Sequence, residues 1–177
     1  MSISSTTSIR FRLCSAVLAA VLIAALSAPG AEAAPATSAT CTGILTVNLT
    51  PGFTPIPNSG SGTSGGQTGT MTCLGSLDGH RITGAGTFGV QETYTTGAAC
   101  LTDTSGGQVS ATFPTTGGPV TIVGALHAHR MALVEFIEIA FPQSQFSGVA
   151  IIVPTQGDCL TAPLTQALVS VTGTLTG

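Results

Sequence analysis

Short runs of β-branched and aromatic residues, separated by clusters of Gly, Pro, Asn or Asp, characterise the chain from Ile44 onward. The runs predict strands near residues 43–50, 68–76, 81–94, 107–113, 119–128, 131–141, 146–153 and 167–176. In the segment 167–176, polar and apolar side chains alternate with a period of two, as in a half-buried strand. We therefore predict an all-β fold of about eight antiparallel strands forming a barrel, with a β-sandwich as the alternative.

The N-terminal segment has the pattern of an export signal. Arg10 and Arg12 precede an apolar run from Leu13 to Leu26, and the small residues "AEA" follow at 31–33. We predict a secretory signal peptide over residues 1–33 and a single all-β domain over residues 34–177. No later stretch has the roughly 20 apolar residues of a membrane span. The mature chain is therefore expected to be secreted, extracellular or associated with the cell envelope, and to lack a membrane span.

Basic residues are scarce in the predicted domain. Residues 34–177 contain six acidic side chains, only two arginines and no lysine. Binding to nucleic acid depends on clustered Lys and Arg side chains that neutralise phosphates. We therefore expect no nucleic-acid partner.

Four cysteines remain after the predicted signal peptide, and they are spread singly along the chain. Zinc-binding cysteines usually occur in close pairs, so two disulfides are the simpler interpretation in an exported protein. If eight strands run up and down in order, Cys41 and Cys73 lie toward one end of the fold, and Cys100 and Cys159 lie in connections at the other. We predict the pairs Cys41–Cys73 and Cys100–Cys159.

Two glycine-rich segments match catalytic patterns only superficially. The polar segment "GSGTSGGQTG" at 60–69 predicts a mobile loop. It contains Gly-x-Ser-x-Gly around Ser64, but a nucleophilic serine in that motif needs a strand-to-helix turn. The segment "DTSGG" at 103–107 predicts a turn. We therefore expect no catalytic residue in either segment.

The two ends of the predicted domain are similar to known sequences. "TCTGILTVNLTPGFT" (Thr40 to Thr54) and "CLTAPLTQALVSVTGTLTG" (Cys159 to Gly177) resemble a broad group of small secreted actinobacterial proteins of unknown function. The resemblance implies export and an all-β fold. It implies no mechanism and no functional residues.

The stretch "GALHAHRMALVEFIEIAF" contains the strongest candidates for a metal site. In a strand, His127 and His129 would lie on one face with a spacing that suits two ligands of one metal. Together with Glu135 they resemble the first motif of the cupins, which are metal-binding barrels. The spacing to Glu135 is longer than in that motif, the flanking glycines are displaced and no histidine follows His129. His80 is the remaining candidate for a third nitrogen ligand.

A structural interpretation explains the same stretch without a metal. We predict a hairpin that turns near His129 to Met131, with both histidines and Arg130 exposed at the turn. A bulge near Phe136 and Ile137 would place Phe136 in the core and leave Glu135 and Glu138 in water.

These observations lead to three hypotheses about function. The favoured one is a non-catalytic binding or interaction module of unknown activity. Its partner is unknown from the sequence, and a cell-envelope component is one candidate. The second is a carrier of a small apolar ligand inside the barrel, which a cavity above about 300 Å³ would favour. The third is a metal-dependent, cupin-like enzyme that uses His127 and His129. We expect no cofactor.

Overall fold

The computed structural model describes residues 36–177, and every regular element in this range is a β-strand. The predicted signal peptide, residues 1–33, lies outside the described residues. The strands are β1 (Ser38–Phe53), β2 (Asn58–Thr63), β3 (Gly69–Leu77), β4 (His80–Arg81), β5 (Gly86–Ala98), β6 (Thr102–Thr115), β7 (Gly118–Met131), β8 (Val134–Ala140), β9 (Gln145–Gln156) and β10 (Leu164–Thr176). The predicted all-β fold is confirmed.

All ten strands belong to one antiparallel sheet that closes on itself. Strands β5 to β10 pair with their neighbours in chain order, and β10 pairs with β1. The place between β1 and β5 is shared by β2 and β3, each of which pairs with both strands. The result is a ring with eight strand positions, hereafter the ring, and β4 pairs with β3 outside it. Each strand position of the ring therefore has a neighbouring strand on both sides, which limits the sheet edge that other chains could pair with.

The core lies on the inner face of the ring and follows from period-two alternation. In β7, Leu126 and Ala128 are buried, whereas the residues between them are exposed. The same alternation buries Val109, Ala111 and Phe113 in β6. Since successive side chains of a strand point to opposite faces, one apolar face in each strand is sufficient to fill the interior.

Each of the eight predicted segments overlaps an observed strand, but two glycine-rich segments were assigned wrongly. The predicted mobile loop begins inside β2, and residues 58–63 pair with β1 and β5. The predicted turn at 103–107 lies inside β6, paired with β5 and β7. Neighbouring strands supply the packing and hydrogen bonds in both cases, and this tertiary context outweighs the low strand propensity of Gly and Ser.

One interruption of the ring, which we call the seam, lies between β1 and the strands β2 and β3. On the side of β1 that faces β2 and β3, the pairing registers leave 45–47 without a strand partner within residues 36–177. The connection between β2 and β3 begins at Ser64, which is buried. Its amide donates to Val90 O at 3.0 Å, and its hydroxyl accepts a hydrogen bond from Val90 N at 3.0 Å. Ser64 is therefore a structural residue that joins the seam to β5.

Two disulfides connect the predicted cysteine pairs. Cys41 and Cys73 are opposite each other in the register of β1 and β3, with Cα atoms 4.1 Å apart. Cys100 and Cys159 join the β5–β6 and β9–β10 connections, with Cα atoms 5.8 Å apart. Each bridge is expected to stabilise the fold by about 2–4 kcal/mol, chiefly by restricting the unfolded chain.

Candidate functional site

The three histidines lie on the outside of the ring and are not grouped. His127 and His129 are exposed on the outer face of β7, as the hairpin interpretation predicted. His80 lies against Gly117, just before β7 begins. Ten residues of extended strand, roughly 30 Å, separate Gly117 from His127. Within residues 36–177 no three His, Cys, Asp or Glu side chains are grouped so that they could hold a metal ion.

The β7–β8 hairpin is confirmed, but its predicted bulge is wrong. The register runs without a shift from Ala125 opposite Ala140 to Met131 opposite Val134. Strict alternation therefore places Glu135 on the inner face and Glu138 on the outer face. Phe136, which the bulge would have buried, is 51% exposed.

The prediction that Arg130 is exposed at the hairpin turn is also wrong, because its side chain is buried. The turn lies at residues 132 and 133, so Arg130 is still part of β7 and faces inward. Only 1% of its surface is exposed. The alternation that keeps His127 and His129 outside the ring is the reason that Arg130 lies inside it.

Three charged residues form a row across the inner face, which we call the charged row. Asp103 in β6 is the register partner of Arg130 in β7, and Arg130 is the register partner of Glu135 in β8. Asp103 is 5% exposed, and Glu135 is half-buried. The row lies at the end of the ring where β7 ends and β8 begins, which we call the charged end.

The guanidinium of Arg130 is held by groups from the same end of the ring. Nη2 donates to Ala99 O at 2.7 Å, and the guanidinium carbon lies 3.9 Å from the ring centroid of Phe53. Phe53 in turn packs against Tyr94, whose hydroxyl donates to Pro51 O. These contacts orient Arg130 but leave part of its hydrogen-bonding capacity unused.

Two buried polar atoms of the charged row have no hydrogen-bond partner among the described residues. They are Oδ1 of Asp103 and Nε of Arg130. A buried polar atom without a partner costs about 1–3 kcal/mol, and more when the group is charged. The charged row therefore keeps one acceptor and one donor available to another molecule.

Glu92 adds a third carboxyl group beside the row. It accepts a hydrogen bond from Ser105 Oγ at 3.1 Å. Its register partners are Gly62 in β2 and Gly107 in β6, so it has a glycine on each side. A Cβ atom at Gly62 would lie 2.9 Å from Glu92 Cγ, which is closer than carbon atoms pack. The glycines thus leave room for the side chain of Glu92.

Burial favours the neutral forms of all four groups. Burial, followed by the charge of Glu92, raises the pKa of Glu135 from 4.5 to about 8, and the charge of Arg130 opposes this rise. Burial also raises the pKa values of Glu92 and Asp103. The hydrogen bond from Ser105 opposes the rise for Glu92, and the charge of Arg130 opposes it for Asp103. The pKa of Arg130 is lowered by the same desolvation. At pH 7 the side chain of Glu135 is therefore mostly a neutral carboxylic acid.

A cavity of about 90 Å³ occupies the interior, and the charged row and Glu92 are part of its wall. This volume is below the 300 Å³ expected for a carrier of a drug-sized ligand. An apolar cavity of about 150 Å³ in another protein binds benzene, so about 90 Å³ corresponds to a few non-hydrogen atoms. Apart from the four charged residues, the lining is apolar. It includes Leu45, Val47, Leu49, Phe53, Met71, Phe88, Val109, Ala111, Phe113, Leu126, Ile137, Ile139, Phe146, Ile152 and Val169.

Comparison with known proteins gives no independent indication of function. No family model matches the chain, and neither the curated proteins nor the solved structures contain a significant match. Among the described residues there is no helix with the length and apolar character that a membrane crossing requires. The features that bear on function are therefore the cavity inside the ring and the unpartnered polar atoms of its wall.

Proposed function

We propose that this protein is an exported, non-catalytic binding protein that holds a small molecule inside the ring. The observation that carries the proposal is the pair of unpartnered buried atoms, Asp103 Oδ1 and Arg130 Nε, in the wall of an otherwise apolar cavity. Most buried polar atoms in folded proteins have partners. The polar group of a ligand would supply a partner to at least one of these two atoms, and the apolar lining would contact the rest of the ligand.

A binding role is favoured over nucleophilic catalysis by the composition of the cavity wall. The residues that line it include no serine, threonine, histidine or lysine, and Cys41 is in a disulfide. Hydroxyl, free thiol, imidazole and amine nucleophiles are therefore missing from this wall, and burial disfavours the ionised form in which its three carboxyl groups could attack.

Export is supported by the N-terminal pattern, by the resemblance to secreted actinobacterial proteins and by the disulfides. Disulfides are typical of oxidising compartments outside the cytosol, and the two in this protein are consistent with such an environment. Mass spectrometry of culture supernatant tests this part, because a mature chain that begins at Ala34 or Pro35 is expected. A precursor that remains intact in the cells would contradict it.

Native mass spectrometry of the purified protein tests the binding role. We expect a small molecule to remain bound to the intact protein and to be released on denaturation. In Ala111→Leu, a larger side chain would fill part of the cavity, so the bound mass should be lost. Ala125→Leu is the matched control, because Ala125 is exposed on the outer face of β7. If the protein carries no ligand and takes up none from a panel of small amphiphiles, the proposal is wrong.

A further inference from the structure

The wall of the cavity contains more acidic groups than basic ones. Glu92, Asp103 and Glu135 contribute three carboxyl groups, and Arg130 contributes the single basic group among the lining residues. His127 and His129 are on the opposite face of β7 and do not line the cavity, although the charge of His129 favours the ionised form of Asp103. The ring therefore encloses more acid than it can neutralise with its own side chains.

We propose that the interior site binds a small organic monocation, an ammonium group attached to an apolar body of a few carbon atoms. This inference rests on the proposed binding function and specifies its ligand. The ammonium group would lie at the charged end, where it would donate to Asp103 Oδ1 and balance the charge of Glu135. The body would occupy the apolar part of the cavity, whose volume of about 90 Å³ suits such a molecule.

The contacts of Arg130 argue against an anionic ligand. Its Nη2 already donates to Ala99 O, and the face of its guanidinium covers Phe53. Its Nε has no hydrogen-bond partner among the described residues. A ligand carboxylate that accepted a hydrogen bond from Nε would also lie beside the three carboxyl groups of the cavity wall, which disfavour an anion. A neutral alcohol would satisfy hydrogen bonds but leave the excess acid uncompensated. A cation satisfies Asp103 and reduces the charge imbalance at once.

Cation binding must be coupled to the protonation of Glu135. The charged groups that face it are Arg130 in β7, Asp103 in β6 and Glu92 in β5, while its partner in β9 is Ala150. In the free protein the pKa of Glu135 is about 8, so at pH 7 the carboxyl group carries a proton. An adjacent ammonium group favours the carboxylate, and the proton passes to the buffer. Binding should therefore release close to one proton at pH 7 and almost none at pH 9.5.

Three probes of similar size test the inference by isothermal titration calorimetry on the purified protein. They are butylammonium, 1-butanol and butyrate, measured at pH 7 and pH 9.5 in buffers with different ionisation enthalpies. We expect one butylammonium per chain, bound at least tenfold more tightly than 1-butanol, with no detectable binding of butyrate. An alkylammonium ion remains largely charged at pH 9.5, because the pKa of such amines is near 10.4.

Two variants of β8 separate the site from general effects of charge. Glu135→Gln keeps the shape but cannot ionise, so proton release should disappear and butylammonium affinity at pH 9.5 should fall at least tenfold. Glu138→Gln is the matched control, because Glu138 lies on the outer face of the same strand, and it should bind all probes like the unmodified protein.

The outcomes distinguish the ligand class from the binding function. If 1-butanol or butyrate binds as tightly as butylammonium, or if Glu135→Gln retains the proton release, the cation inference is wrong while the interior site stands. If none of the probes binds and native mass spectrometry finds no other ligand, both proposals are wrong.

Discussion

Replacing Glu135 by glutamine should make the stability of this protein much less dependent on pH. Burial, followed by the charge of Glu92, raises the pKa of Glu135 to about 8 in the folded state from the ordinary value of 4.5. The folded state then keeps a proton that the unfolded state releases, so stability falls as the pH rises between these two values. At 1.36 kcal/mol per pKa unit, Glu135 alone lowers the free energy of unfolding by about 4 kcal/mol between pH 5 and pH 9.

Urea unfolding at pH 5, 7 and 9 measures this contribution directly. The unmodified protein should be most stable at pH 5, and Glu92 and Asp103 should add to the loss at higher pH because their pKa values are also raised. Glu135→Gln should reduce the difference in the free energy of unfolding between pH 5 and pH 9 by about 4 kcal/mol, whereas Glu138→Gln should leave this difference unchanged. If the unmodified protein is equally stable at pH 5 and pH 9, or if the two variants behave alike, the argument from burial is refuted.

Three further changes test other parts of the structure. Arg130→Met should lower the free energy of unfolding by about 3 kcal/mol, because Asp103 would stay buried without its cationic neighbour; a loss below 1 kcal/mol in urea unfolding would contradict this. Replacing His127 and His129 together by Asn should change the free energy of unfolding by only about 0.5 kcal/mol, since both are exposed; a change above 2 kcal/mol by the same method would give them a structural role. Replacing Cys100 and Cys159 together by Ser should cost about 2–4 kcal/mol, and non-reducing peptide mapping of the unmodified protein should link these two residues.

The fold could be predicted because its determinants are local and repeated. Each long strand has its own alternation of apolar and polar residues, and most turns have their own Gly, Pro or Asn residues, although the β7–β8 turn at 132–133 has none. The disulfide pairs followed from strand order, because Cys41 and Cys73 belong to segments that pair at one end of the fold. The exact strand limits were less predictable. Strands β2 and β6 extend through segments rich in Gly and Ser, and only their neighbours determine that these segments are extended.

The charged row was missed because the prediction kept charged residues in water. Asp103 was assigned to a turn and Arg130 to an exposed hairpin tip, and a bulge near Phe136 and Ile137 was expected to leave Glu135 in water. Each assignment avoided the burial of a charge. Alternation carried through "LTDTSGGQVSATF" would have placed Asp103 on the same face as Val109. The same alternation puts Arg130 on the face of Leu126. The period was visible in the sequence, but the meeting of four ionisable groups at one end of the ring depends on the register between strands.

The seam has a consequence for the motions of the protein. Between β6 and β7, for example, the strands separate only when a continuous ladder of hydrogen bonds breaks. At the seam, 45–47 have no strand partner on one side within residues 36–177, and Ser64 provides the contact with Val90. Regions with fewer backbone hydrogen bonds open at a lower free-energy cost than the rest of a fold. A molecule held inside a closed ring can exchange only when the wall or an end opens, and the seam between β2 and β3 is a place where the wall would open at a lower cost. The rate at which a ligand leaves would then be governed by a few residues around Ser64, while the affinity is determined at the charged end.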